Sequence, residues 1–200
     1  MLVQVNYHLF DTPLGFSGIA WYLPEDSDTS PVVTFFQLPE ATKKMTEMRI
    51  ARNSRGRRAS VPPPPIAGII NKVQRHLGGS MQDFRDVAVA INGMSSFAQQ
   101  VYTACSAIPA GWTMTYGELA KVIQRSTASR AVGQALGRNP VPLIIPCHRV
   151  LASGNRPGGF SAHGGPATKM KMLTIEGATI EHPAVIKSRQ NILRAAASHI

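Results

Sequence analysis

Arg130-Ala131-Val132-Gly133-Gln134-Ala135-Leu136-Gly137-Arg138-Asn139-Pro140 runs into Val141-Pro142-Leu143-Ile144-Ile145 and then into Pro146-Cys147-His148-Arg149-Val150. The first piece reads as a helix thinned by small residues and stopped at Asn-Pro, because the residue before a proline is pushed out of the helical region. The second is a short apolar run suited to burial. The third sets a thiol beside an imidazole. A segment of this order points to a device that binds something and reacts with it. Cys next to His is weak evidence by itself, since neighbouring side chains point apart, and the longer block makes the reading specific.

Upstream of this stretch the pattern is helical. Phe97, Val101, Cys105 and Ile108 fall on one helix face at spacings of four, four and three. Cys105 is therefore read as a small core residue. Ile108-Pro109-Ala110-Gly111 stops that helix. A second helix is expected from about Tyr116 to Ile123 and a third from about Thr127 to Leu136, joined by a turn near Gln124-Arg125-Ser126. That is helix-turn-helix spacing. In the third helix Ala128, Ser129, Ala131, Gly133 and Ala135 are all small. Close packing on another helix explains this, and so does entry into a groove too narrow for bulky side chains.

The amino-terminal part has a different character. Val3-Gln4-Val5 and Val32-Val33-Thr34-Phe35-Phe36 are strand-like, and Pro13-Leu14-Gly15 and Pro24-Glu25-Asp26 are turn signals between them. Val61-Pro62-Pro63-Pro64-Pro65 is expected to be an extended connector, followed by helical spacing from Ile66 to Leu77. Asp86 to Ile91, with its Val87-Ala88-Val89-Ala90-Ile91 run, suggests a short buried strand. The fold class expected is α/β, with an amino-terminal sheet-and-helix domain over 1–92, a mostly helical domain with a helix-turn-helix over 93–182, and a tail over 183–200.

With 44% hydrophobic residues, 200 residues suffice for one fair-sized domain or two small ones. No stretch has the length of a membrane span, and the amino terminus lacks the basic-then-apolar pattern of a signal peptide. Two cysteines are too few for a disulfide framework, and a nucleophilic Cys147 needs a reducing compartment, so the cytoplasm is expected. The net charge of +10 is concentrated: residues 101–200 hold eleven Lys/Arg against three Asp/Glu, residues 1–100 ten against eight. A basic carboxy-terminal half favours a polyanionic partner. Lys43 to Arg58 carries seven basic residues and one acid, which reads as solvated surface with DNA contact as the alternative.

The segments Ile108 to Gly111, Thr115-Tyr116-Gly117-Glu118-Leu119-Ala120, Arg130 to Pro140, Ile145 to Val150 and Lys169 to Gly177 together resemble the O6-alkylguanine-DNA alkyltransferases, also called methylated-DNA–protein-cysteine methyltransferases. They span roughly Phe97 to Gly177. The resemblance implies repair of DNA by transfer of a methyl or other alkyl group from O6 of guanine, and from O4 of thymine, to the protein's own cysteine. The transfer is irreversible and happens once per molecule. It implies Cys147 as acceptor, His148 as base through a bridging water, Glu176 as the carboxylate orienting the imidazole, and Asn139 as a brace for the reactive loop. Tyr116 is expected to assist extrusion of the nucleotide and to donate toward guanine N3.

The partner implied is double-stranded DNA containing O6-alkylguanine, held in the minor groove by a monomer. Thr127, Ser129, Ala131 and Gly133 would meet the DNA, and Arg130 would enter the base stack in place of the extruded base. A helix-surface phosphate contact is the alternative for Arg130. Flipping a base costs roughly a few kcal/mol, less where the lesion already weakens the pair. Phe160, Ser161, Val150 and Lys169 are the substrate-binding candidates, and Arg149 is read as structural. No cofactor is implied. No metal is either: there is no Cys pair with ligand spacing, and the six histidines are scattered.

One segment departs from the family pattern. Gly159-Phe160-Ser161-Ala162-His163-Gly164-Gly165-Pro166 has phenylalanine for the usual tyrosine, and Ser161 to Lys169 is longer than the common pattern. Phe160 can still wall a guanine pocket and Ser161 can still donate, while the longer loop leaves the accepted alkyl size open. The main rival is a nonreactive alkyl-lesion-binding protein, which would lack the acceptor thiol. A sequence-reading regulator is disfavoured by a third helix with few base-specific donors.

Overall fold

The computed structural model describes residues 4–25, 30–59 and 61–178. The tail expected over 183–200 lies outside them, as do Val3 and Asp26. The described chain divides into two compact units, one running up to Ile91 and including Pro140–Ile144, the other formed by Asn92–Asn139 and the residues from Ile145 onward.

The first unit is a four-stranded sheet with helices. Strands β1 (Val5–Phe10), β2 (Ser17–Tyr22) and β3 (Val32–Gln37) are antiparallel neighbours, and the two-residue edge strand β4 (Arg57–Arg58) pairs parallel to β1, giving the order β3-β2-β1-β4. Thr12 and Gly15 close the β1–β2 turn with reciprocal backbone bonds of 3.1 and 2.8 Å. Helix α1 (Lys43–Ser54) is capped by Thr42, whose side chain accepts from Met45 N. It lays Thr46 and Ile50 on the sheet. Gly18 makes room for this, since a Cβ there would stand 2.6 Å from Ile50 Cδ1.

Helix α2 spans Pro64–Leu77, so Pro64 and Pro65 belong to its first turn rather than to an extended connector. The first helical positions have no intrahelical use for an N–H, and proline fits there without loss. The Val87–Ile91 run is also not a buried strand. It forms one parallel bridge, with Val33 N–H donating to Ala88 O and Ala90 N–H to Val33 O, both at 2.9 Å, and its residues stay partly exposed. The apolar segment after Asn139 joins this unit too. Phe36 N–H donates to Pro140 O at 2.8 Å, and Val141, Leu143 and Ile144 are buried.

The second unit is mostly helical. Helix α3 (Ser96–Ser106) buries Val101, Tyr102, Ala104 and Cys105, while Phe97 is only half-buried. Strand β5 (Met114–Thr115) leads directly into α4 (Tyr116–Val122), whose capping box pairs the Thr115 hydroxyl with Glu118 N–H and the Glu118 carboxylate with Thr115 N–H. Helix α5 covers Ser129–Gly137, starting after Thr127, which lies in the preceding turn. Strand β6 (Val150–Leu151) pairs parallel to β5, and α6 runs from Pro166 to Ile175. Among the described residues no helix is long and apolar enough to cross a membrane.

Candidate active site

The two-residue β5–β6 ladder joins the two segments that carry Tyr116 and Cys147. Met114 pairs with Val150 and Thr115 with Leu151. Tyr116 follows β5 immediately, and the tight helical turn Cys147–Arg149 immediately precedes β6. The parallel register sets the Cys147–Arg149 turn at the start of the ladder and Tyr116 at its far end, and Tyr116 and Cys147 meet only as lining of one cavity. The chain leaves this unit after Asn139 and returns at Ile145, and Asn139 Nδ2 donates to Ile145 O at 2.8 Å, tying the two ends of that excursion together.

A cavity of about 680 Å³ opens in front of the turn. Cys147, Tyr116, Ser129, Arg130, Gly133, Phe160 and Ser161 line it, all of them candidates from the sequence. Its volume is in the range of small-molecule sites and ample for a nucleobase. Tyr116 is seated between glycines: a Cβ on Gly133 would stand 3.8 Å from its ring, and one on Gly158 would stand 3.3 Å from Cε2 and 3.5 Å from the hydroxyl. Gly158 also has φ 67°, which an L side chain rarely adopts. Thr127 and Ala131 are not in the lining.

The remaining candidates stand behind the wall. His148 and Glu176 are buried, with Nε2 and Oε1 2.9 Å apart. A carboxylate only accepts, so Nε2 carries the proton, and a neutral ring keeps Nδ1 as its acceptor. Glu176 caps the carboxyl end of α6, where the helix dipole disfavours an acid. Arg149 offsets this: its Nε and Nη2 both donate to the same carboxylate, and its Nη1 donates to Ile108 O at 2.5 Å. Val150 is fully buried as part of β6. Lys169 is fully buried in α6, its Nζ donating to Val150 O at 2.6 Å and lying 5.7 Å from the Tyr116 ring centre.

Burial pushes the Cys147 thiol above its ordinary range; an Asn139 hydrogen bond, the Lys169 charge and the backbone N–H groups of Cys147 and His148 pull it back. Burial also lowers Lys169 to about 8, against the opposing influence of Cys147. Tyr116 is raised by burial, then by Cys147, and so keeps its phenolic proton. Cys105 is fully buried, with its thiol well above the ordinary range because of burial.

Sequence reasoning missed Arg156, Ser153 and Ala152, which also line the cavity. Arg156 Nε donates to Ser153 O at 3.2 Å. The only signal for them was a basic residue in the Gly-rich loop after Cys-His, and loop position does not reveal which wall a side chain joins. His163 is exposed on the longer loop, with its carbonyl accepting from Thr168 Oγ1.

A thiol on the wall of a base-sized cavity, beside a helix-turn-helix, fits the class of cysteine-acceptor group transferases that work on nucleic acid. A family profile described as the DNA-binding domain of 6-O-methylguanine DNA methyltransferase matches residues 96–178. A methylated-DNA–protein-cysteine methyltransferase of Mycobacterium tuberculosis is 36% identical over 173 residues, 86% of this chain and 93% of the relative. One from Metallosphaera sedula is 37% identical over 120 residues, 60% of this chain and 73% of the relative. The crystal structure of Mycobacterium tuberculosis OGT in complex with DNA is similar at a TM-score of 0.66 and 28% identity, covering 86% of this chain and 92% of that one. The chain belongs to the methylated-DNA–protein-cysteine methyltransferase family, and its activity is alkyl transfer in DNA repair.

Proposed function

We propose that Cys147 is the alkyl acceptor and that the substrate is O6-alkylguanine in duplex DNA, bound in the minor groove by a monomer. The observation that carries this reading is the shared cavity: Cys147, Tyr116 and Arg130 line one space of about 680 Å³. The lesion base enters that space out of the stack, and Arg130, exposed on α5, fills the gap it leaves. Small residues along α5 let the helix sit deep in a narrow groove.

The chemistry is a displacement at an sp³ carbon. The proton of the Cys147 thiol passes to His148 through water, with Glu176 stabilising the imidazolium. The thiolate forms an S–C bond as the C–O6 bond breaks, and the electron pair leaves on guanine. Tyr116, still protonated, donates to the guanine ring as that charge develops. Phe160 contributes an apolar wall and Ser161 a donor near O6. The thioether product has no leaving group that would return the thiol, so each molecule reacts once. The same displacement applies to O4 of thymine, and a reducing compartment such as the cytoplasm keeps the thiol available.

Intact-mass and peptide mass spectrometry after incubation with O6-methylguanine duplex tests the assignment. One methyl adduct on Cys147 is expected, no adduct with Cys147→Ala, and a normal adduct with Cys105→Ala. Retained lesion binding without any adduct in the wild type would instead favour the nonreactive lesion-binding alternative.

A further inference from the structure

The strongest charge feature of the first unit is carried by residues that are not in the cavity lining. Residues 1–42 contain five acids and no Lys or Arg, and the seven basic residues of 43–58 follow at once. In α1 the residues Lys44, Met48 and Arg52 fall at i, i+4 and i+8, on the face opposite the buried Thr46 and Ile50. Arg55 continues the stripe from the left-handed cap of the helix, at φ 51°, and Arg57 opens the edge strand β4. Lys44, Arg52, Arg55 and Arg57 are all exposed.

Nearby acids are engaged elsewhere. Glu40 pairs with Arg49 at 3.0 Å and Glu47 with Arg58 at 2.7 Å. Among the described residues no carboxylate pairs with the four cations of the stripe. Lys44 also sits in the first turn of α1, which has no acid, although the positive end of a helix disfavours a cation there. A local rule broken without compensation inside the fold marks a surface kept for an outside partner.

We infer that this stripe is a second DNA-contacting surface, which holds the sugar–phosphate backbone of duplex DNA by charge and reads no sequence. This rests on the proposed DNA substrate and extends it to the first unit. From Lys44 to Arg52 the helix rises about 12 Å, and each strand of a duplex presents a phosphate about every 3.4 Å of axis. The stripe therefore spans several phosphates. Met48, 63% exposed between Lys44 and Arg52, supplies a flexible apolar contact for the sugars.

The test is the salt dependence of binding to undamaged duplex DNA, followed by fluorescence anisotropy with the full chain. In Lys44→Gln/Arg52→Gln/Arg55→Gln/Arg57→Gln the slope of log affinity against log salt should become shallower by about 2 to 4, at about 0.9 per lost phosphate contact. Affinity at low salt should fall about tenfold or more. Methylation of Cys147 by free O6-methylguanine should be unchanged, as should the melting temperature. Exchanging Lys and Arg at the same four positions should keep the wild-type slope. Should the quadruple variant fold poorly, the single variants carry the test, each lowering the slope by about 0.9. A wild-type slope in folded Gln variants overturns the inference. So does loss of binding to phosphatidylglycerol vesicles with the DNA slope intact, which would assign the stripe to a membrane. Failure of the underlying DNA reading looks different: the wild type itself would neither bind duplex in a salt-dependent way nor acquire the methyl adduct.

Discussion

Glu176 holds His148 and Arg149 at once: Oε1 accepts from His148 Nε2 at 2.9 Å and from Arg149 Nη2 at 2.7 Å, while Oε2 accepts from Arg149 Nε at 3.0 Å. The carboxylate is 1% exposed and the imidazole 0%. One buried anion thus serves a fixed cation and the group proposed to take a proton. Arg149 fixes the geometry of the carboxylate by a two-point contact, and the carboxylate fixes the tautomer of the imidazole. Structural and chemical roles meet on the same oxygen atom, so a single substitution disturbs both, and stability and pH dependence must be measured together.

Glu176→Gln should therefore have two effects. It leaves the Arg149 guanidinium buried without its counter-charge, a loss on the order of 3–5 kcal/mol that denaturant unfolding will read. It also weakens proton withdrawal from Cys147, so transfer slows near neutral pH and part of the rate returns as pH rises. His148→Ala should show the same pH trend with a larger loss of rate. Arg149→Lys keeps the charge but loses the two-point contact, so it should destabilise without moving the pH–rate profile. An unchanged profile in folded Glu176→Gln and His148→Ala would remove the relay from the mechanism.

Arg130→Ala should slow repair of duplex DNA far more than reaction with a free O6-alkylguanine. Arg130 is exposed at the cavity, and its proposed task of holding a duplex open is absent with an isolated base. Comparing single-turnover rates on the two substrates checks this. Equal losses on both would assign Arg130 to catalysis or folding.

Lys169 gives a pH prediction with a definite sign. Its pKa in the fold is about 8 against an ordinary 10.5, so between these values the unfolded chain holds a proton that the folded chain lacks. Its contribution to stability rises with pH across that window, and below it the penalty of roughly 3 kcal/mol is fully present. Lys169→Met removes the penalty and also the bond to Val150 O, so the stability difference from wild type should shift in favour of the wild type from pH 8 to 10.5. The same variant should raise the Cys147 thiol pKa, because the ammonium stabilises the thiolate. Chemical denaturation and thiolate absorbance measure the two effects, and a pH-independent stability difference would contradict the assignment.

Much of the site was legible because its residues lie in short, linked motifs. Cys147, His148 and Arg130 stand at positions that local pattern picks out, after an apolar run or at the start of a thin helix, and Tyr116 lies in the Thr115-Tyr116-Gly117 segment that carries the family resemblance. Arg156 was not legible, because its place on the cavity wall depends on how a Gly-rich loop folds back, which no periodicity encodes. Four consecutive prolines look like an extended spacer, yet the last two, Pro64 and Pro65, sit in the first turn of α2, where proline fits. Val87–Ile91 looked like a buried strand because apolar composition cannot distinguish a ladder from a single bridge.

The amino-acid sequence alone determined the helix-turn-helix, the thin third helix stopped at Asn139-Pro140, the apolar run into Cys147-His148, and the division between an acidic start and a basic remainder. These follow from local periodicity, caps and charge, all of which act over a few residues. Only the tertiary structure decided that residues 140–144 join the first unit, that Tyr116 and Cys147 line one cavity, and that Glu176 is divided between His148 and Arg149. Those relationships join residues 27 or more positions apart, and they are set by burial and by the requirement that buried polar groups find partners.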